Sequence, residues 1–198
     1  DQRPALVVRA AHAEDVAAAV RFAVIHGLRV AAQGTGHNAG PLGDLSDTLL
    51  LRTDLMLGVT IDPERMIARV DAGVPWQQVT EAAAEHGLAA LAGSSADVGV
   101  VGYTLGGGVS WLARSHGLAA NSVTGIELVT AEGELCRVDE HTDPDLFWAL
   151  RGGGGAFGVV TALEFRLYPM TGVHAGAFFW PIERAADVMR AWREWTVD

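Results

Sequence analysis

The sequence predicts an α+β fold. Three observations carry that prediction: a β-α-β pattern over residues 5–33, two antiparallel hairpin patterns at 59–70 and 126–138, and an uneven use of glycine. A helix between two short apolar runs brings the second run back parallel to the first. A short polar turn between two runs returns the chain antiparallel. Many of the 24 glycines gather at 34–43, 99–108 and 152–158, which marks three places where the backbone itself approaches something closely.

Taken in order, Ala5, Leu6, Val7 and Val8 read as a buried strand. Residues 13–26 read as a helix with Val16, Val20, Phe22, Ala23 and Val24 among its apolar positions and Gly27 as its stop. Residues 29–33 and 48–51 are short strands. Asp62-Pro63-Glu64-Arg65 turns the chain between strands at 59–61 and 66–70. Pro75 occupies the first position of the next helix, which Gly87 ends, with Trp76, Val79 and Ala83 on its core face. His26 and His86 fall in last helical turns, where the dipole favours an imidazolium.

Residues 111–114 form a short helix that stops near Gly117. Strands at 126–130 and 134–138 flank Ala131-Glu132-Gly133, and Cys136 sits in the second as a packed thiol rather than a nucleophile. Asp143 caps a helix from Pro144 to Leu150. A strand follows over 158–167, and Tyr168-Pro169-Met170 breaks it. Residues 175–180 read as a strand and 182–195 as an amphipathic helix. A strand and a helix alone cannot cover Trp180, Trp192 and Trp195, so a second domain is expected to start near 171 and to be cut off at 198.

The totals exclude several chemistries. The chain has 198 residues and a net charge of −10, which argues against nucleic acid and anionic membranes as partners. No apolar run approaches the ~20 residues of a membrane span. Its 14 cationic residues are all arginine, so a Walker lysine and Schiff-base chemistry are excluded. HExxH and CxxC spacings are absent, so no metal site is expected. The lone Cys136 allows no intrachain disulfide and points to a reducing, cytoplasmic compartment. The chain opens on Asp1, so a targeting segment upstream stays open.

The centre of the sequence is Val30-Ala31-Ala32-Gln33-Gly34-Thr35-Gly36-His37-Asn38-Ala39-Gly40. A strand runs into a glycine turn that carries one histidine. Successive N–H groups in such a turn can cradle a phosphate. The stretch loosely matches the dinucleotide fingerprint, which must open a helix. Gly40-Pro41-Leu42-Gly43 has no helical period, so that reading fails. Alone, the stretch is equally well a tight surface loop with an exposed histidine.

Three segments taken together carry a resemblance: Gln33-Gly34-Thr35-Gly36-His37-Asn38; residues 93–108, which end GVVGYTLGGG; and residues 145–161, DLFWALRGGGGAFGVVT. The chain resembles the FAD-binding domain of the vanillyl-alcohol oxidase/p-cresol methylhydroxylase superfamily, in the branch of berberine bridge enzymes, sugar oxidases and 6-hydroxynicotine oxidase. The resemblance covers residues 4–170. It implies two α/β subdomains, 1–53 and 54–170, that clasp FAD, with the start of a substrate domain at 171–198.

The resemblance places the histidine that bonds the flavin 8α-methyl on His37; the alternative is non-covalent FAD with His37 adjacent. It places Gly34, Thr35, Gly36 and Asn38 along the diphosphate and ribityl chain. Gly93, Ser94, Val98, Gly99, Gly102 and Tyr103 fall along the flavin, and Gly158 and Val160 offer backbone to the other end. A second, cysteinyl bond known in some members falls on Ser95 and is excluded. Gln33 stands where many members have arginine, and Asn121 where aspartate is expected. Val98 falls near a position that governs oxygen access, and its small side chain suits an oxidase. For Gly152 to Gly155, cofactor contact and simple packing are equally open.

The activity so implied is FAD-dependent oxidation of a small alcohol, sugar or amine, with hydride passing to flavin N5 and on to O2 as H2O2. The alternatives are a dehydrogenase or reductase on the same fold, and a non-catalytic flavin-binding interaction domain. No catalytic base is identifiable in these residues. The resemblance places it largely in the substrate domain, so the fragment alone is expected to turn over little. Residues 171–198 are expected to be covered by that missing domain or by a partner chain.

Overall fold

The computed structural model describes residues 2–174 and 176–197. Its first layer is a parallel sheet of β1 (Leu6–Arg9), β2 (Arg29–Gln33) and β3 (Thr48–Arg52), with α1 (Ala13–Ile25) joining β1 to β2. The strand order is β1-β3-β2, so the later strand inserts between the two that the helix connects. Val16, Val20 and Ala23 recur at helical spacing and are buried against Leu49 and Leu51 of β3. α1 starts where it does because Asp15 reaches back to accept from the N–H groups of Ala11, at 2.9 Å, and His12, at 3.1 Å. Those donors have no helical partner of their own, and the bonds hold the Asp15 carboxyl below its usual range.

β1 is not the buried strand that its composition suggests. Val7 is 52% exposed and Leu6 is also open. β1 lies at the sheet edge, and the two-residue period turns Val8 toward α1 and Val7 away from it.

After β3 come β4 (Val59–Asp62), β5 (Ile67–Asp71), α2 (Trp76–Ala84) and β6 (Leu88–Ala89). Three short helices follow, α3 (Val100–Leu105), α4 (Ala113–His116) and α5 (Ala119–Ser122). The chain then forms β7 (Val123–Val129), β8 (Leu135–Val138), α6 (Pro144–Leu150), β9 (Val159–Arg166), β10 (Tyr168–Pro169) and α7 (Ala185–Trp195). The second sheet is antiparallel, in the order β4-β5-β9-β7-β8. Both expected hairpins are present, β4 with β5 and β7 with β8. β9 is central and buried along most of its length, with Leu163 fully enclosed.

α1 joins the two sheets. Val129 and Val159 of the second sheet belong to the same core cluster as Leu49 and Leu51. Arg21 on α1 donates from Nη1 to the Gly133 carbonyl at 2.6 Å and so pins the β7–β8 turn.

Three local expectations change. Pro75 is the N-cap of α2 and not its first residue, because it stays extended to bridge Gly99. Trp76 N–H donates to the Val98 carbonyl and Val100 N–H to the Val74 carbonyl, both at 2.9 Å, which ties the starts of α2 and α3 together. Tyr168 and Pro169 do not simply break the chain; they pair antiparallel with β6. The strand expected at 175–180 is absent over 176–180, and Ala175 lies outside the described residues. No neighbouring edge accepts that segment, and Phe178 and Phe179 stand in solvent. The amphipathic helix beyond it is real, and Trp192 and Trp195 on it are exposed along with Trp180.

Asp143 caps α6 as expected, accepting from the Leu146 N–H at 3.1 Å. The turn before it is held by Asp139, which accepts from the N–H groups of His141 and Thr142 and from Arg137. Those bonds, the two backbone ones first, lower the Asp139 carboxyl from 3.8 to about 2.

Two measurements check this packing. Leu163→Ala empties a fully buried site in the central strand, and should cost about 2–5 kcal/mol in urea denaturation. Asp139 is more acidic folded than unfolded, so its contribution is complete above 3.8 and is lost as pH falls through about 2. Asp139→Asn should flatten that part of the acid stability profile and leave the profile above it unchanged in shape.

Candidate functional site

The end of β2 runs straight into the glycine turn, and α3 starts beside it. The two are tied by a backbone donor: Gly99 N–H donates to Thr35 Oγ1 at 3.2 Å. Around this junction lies a cavity of about 910 Å³, walled by residues 33–39, by α3, and by the segment leading into β9.

Eleven of the thirteen residues expected to hold the cofactor line this one cavity. They are Gly34, Thr35, Gly36, His37 and Asn38 from the turn; Val98, Gly99, Gly102 and Tyr103 from the α3 region; and Gly158 and Val160 at the start of β9. Gly93 and Ser94 do not line it. Gly93 instead makes room for a wall residue: a Cβ there would come within 2.9 Å of Tyr103 Cε2, and one on Gly108 within 2.5 Å of Cε1. The Tyr103 ring is therefore wedged between two glycines. Its edge faces Trp76 at 5.4 Å between centroids, and its hydroxyl donates to the Leu91 carbonyl at 3.3 Å. Burial pushes the Tyr103 phenol up, which keeps it neutral and a donor.

The turn is built to receive an anion. Among the described residues, no backbone N–H from 34 to 38 has a protein acceptor. Gly36 has φ +84°, a conformation other residues rarely adopt. Successive free N–H groups in such a turn form a concave nest of partial positive charge. The walls agree with this: in a protein of net charge −10, no aspartate or glutamate among the described residues lines the cavity. No arginine lines it either, so the N–H groups must do the work of cations.

The rest of the wall is a bare-backbone cradle. A Cβ on Gly102, Gly154 or Gly155 would meet no protein atom within 4 Å and would project into open space. The glycine run at 152–155 thus divides. Gly154 and Gly155 line the cavity, while Gly153 packs on the Ala149 carbonyl, where a Cβ would collide. Thr130 and Ala131 of the β7–β8 turn also reach the wall, as does Phe157. Their local sequence reads only as a hairpin and a loop, and tertiary placement alone brings them here.

His37 lines the cavity, and its side chain is 45% exposed. Its Nε2 lies 3.3 Å from Asp97 Oδ2. Cys136 is not part of the site; burial and the nearby Asp143 raise its thiol, which suits a packed residue. Among the described residues, no group of three or more potential metal ligands gathers.

Comparison with known proteins agrees with this geometry. The profile of the FAD binding domain matches residues 4–139. (R)-6-hydroxynicotine oxidase of Paenarthrobacter nicotinovorans is 39% identical over 169 residues, 85% of this chain and 37% of that protein. Xylooligosaccharide oxidase of Thermothelomyces thermophilus is 33% identical, over 98% of this chain and 41% of the relative. The crystal structure of 6-hydroxy-D-nicotine oxidase from Arthrobacter nicotinovorans superposes with a TM-score of 0.81, covering 85% of this chain and 37% of that one. Glucooligosaccharide oxidase from Acremonium strictum, whose FAD is described as 6-S-cysteinyl and 8α-N1-histidyl, superposes at 0.79 with 34% identity over 85% of this chain and 36% of its own. This chain therefore spans only about 37% of the length of the first of these relatives. A cavity of dinucleotide size, an anion nest and a cradle of bare backbone fit FAD. The chain belongs to the FAD-binding domain family of the vanillyl-alcohol oxidase/p-cresol methylhydroxylase superfamily, in the branch that holds 6-hydroxynicotine oxidase and the oligosaccharide oxidases.

Proposed function

We propose that these residues are the cofactor half of an FAD-dependent oxidase acting on a small alcohol, sugar or amine. Bound FAD supplies two-electron chemistry, taking hydride from the substrate and passing the electrons to O2 to give H2O2. The observation that carries this reading is the single cavity that gathers the glycine turn, His37 and the bare backbone of Gly102, Gly154 and Gly155. Residues 1–53 and 54–170 are the two halves that hold the cofactor, and 171–198 begin the domain that completes the substrate pocket. The exposed faces of Phe178, Trp192 and Trp195 support that last assignment.

Each wall has a task in this reading. The N–H groups of 34–38 hold the diphosphate. Val98 lines the cavity, and its small side chain, at the position the resemblance links to oxygen access, supports oxygen as the acceptor. His37 carries the covalent bond to the flavin, and its place on the cavity wall, half-exposed, supports that role. Gly93 and Ser94 act at one remove, Gly93 by fixing the Tyr103 ring.

Acid precipitation of the full chain tests the attachment. Yellow colour should stay in the pellet with a mass increase of one FAD, and His37→Ala should move the colour to the supernatant. Colour released from the wild-type chain would overturn the covalent bond. For the oxidase reading, substrate should bleach the flavin without air, and admitting air should restore it with H2O2. A requirement for another acceptor would overturn it.

The bond between Thr35 and Gly99 gives a separate prediction. Thr35→Val strands the Gly99 N–H and should cost about 1 kcal/mol of stability. In a His37→Ala background, where FAD is exchangeable, the same change should weaken FAD uptake several-fold in a fluorescence titration.

A further inference from the structure

We propose that Asp97 is the positioning residue that prepares His37 for bonding to the flavin, an inference that rests on the covalent reading above. The observation is their contact: Asp97 Oδ2 lies 3.3 Å from His37 Nε2. Asp97 makes no other ion pair or side-chain hydrogen bond among the described residues, and its side chain is 79% exposed. His37 lines the cavity and Asp97 does not. The carboxylate therefore stands behind the imidazole relative to the cavity wall.

The contact is assembled by the fold and not by neighbouring sequence. His37 sits in the turn after β2, and Asp97 in the segment before α3. The Gly99 N–H to Thr35 Oγ1 bond clamps those two segments together, two residues from each partner. Asp97 thus sits at the junction already described, against the Nε2 edge of the ring.

Chemistry gives this geometry a consequence. A neutral imidazole carries one N–H, and the nitrogen that faces a carboxylate keeps it. Asp97 holds the proton on Nε2 and leaves the lone pair on Nδ1. Attachment forms a bond between Nδ1 and the 8α-methyl carbon and breaks one C–H bond of that methyl. As Nδ1 is alkylated the ring becomes cationic, beside the Asp97 carboxylate, until the Nε2 proton leaves. Bound FAD would take up the two electrons freed, and O2 would accept them with two protons as H2O2. The sum is imidazole N–H plus flavin methyl C–H plus O2, giving the N–C bond and H2O2.

The test uses the full chain produced without flavin, mixed with FAD in air, with acid-stable flavin followed over time by absorbance and intact mass. Asp97→Asn keeps the shape and removes the charge. It should slow attachment by about tenfold or more, by analogy with the loss when the hydrogen-bond partner of a metal-ligating histidine is removed. Asp97→Glu should restore most of the rate. Before acid treatment, Asp97→Asn should bind FAD as well as wild type does, which shows an intact fold. Attachment by Asp97→Asn at the wild-type rate would overturn the proposal and leave the covalent reading standing. Loss of non-covalent FAD in Asp97→Asn would also overturn it, because the carboxylate would then hold the cofactor and not the imidazole. Complete release of FAD by acid from the wild-type chain would remove both readings together.

Discussion

A strongly acidic protein that binds a dianionic diphosphate must keep its carboxylates away from it. Here the solution is backbone. The turn after β2 offers unpaired N–H groups, and no aspartate or glutamate among the described residues lines the cavity. The need for exposed backbone explains the glycines, and the need to hold that backbone still explains the packing behind it. α1 packs on the parallel sheet and reaches β7 and β9 of the antiparallel one, so the turn and the opposing wall rest on one shared core. The Thr35–Gly99 bond closes the frame at the mouth of the turn.

What the sequence made legible was local. Asp143 as a cap, the β7–β8 hairpin, the α1 stop at Gly27 and the free turn at 34–38 each depend on residues within a few positions of one another. What it hid was set by distance. Nothing near β1 says that β3 will insert beside it and leave Val7 in solvent. The pairing of Tyr168 and Pro169 with β6 joins residues about eighty positions apart. Gly93 illustrates the same limit within the site. The resemblance places it along the flavin, whereas in the structure it admits the Tyr103 ring and does not line the cavity. The contact of His37 with Asp97 is likewise invisible until both segments are placed.

The two ends of the chain differ in how well they are enclosed. Residues from β1 to β10 share two core clusters, whereas the aromatic side chains from Phe178 to Trp195 pack on little. α7 has a two-faced, amphipathic pattern, and none of its residues is buried. The well-enclosed part, from β1 to β10, is the part that walls the cavity.

The six tryptophans divide in a way that makes the molecule its own optical probe. Trp76 is 2% exposed and touches the Tyr103 ring, which forms part of the cavity wall. The other five, Trp111, Trp148, Trp180, Trp192 and Trp195, are open to solvent. Trp76 therefore emits at the blue edge of the protein's fluorescence, from directly behind the Tyr103 wall of the cavity. The red edge belongs to indoles in water, among them the three on the uncovered C-terminal segment. The indole behind the cavity wall and the indoles at the C-terminal end thus report at different ends of a single emission spectrum.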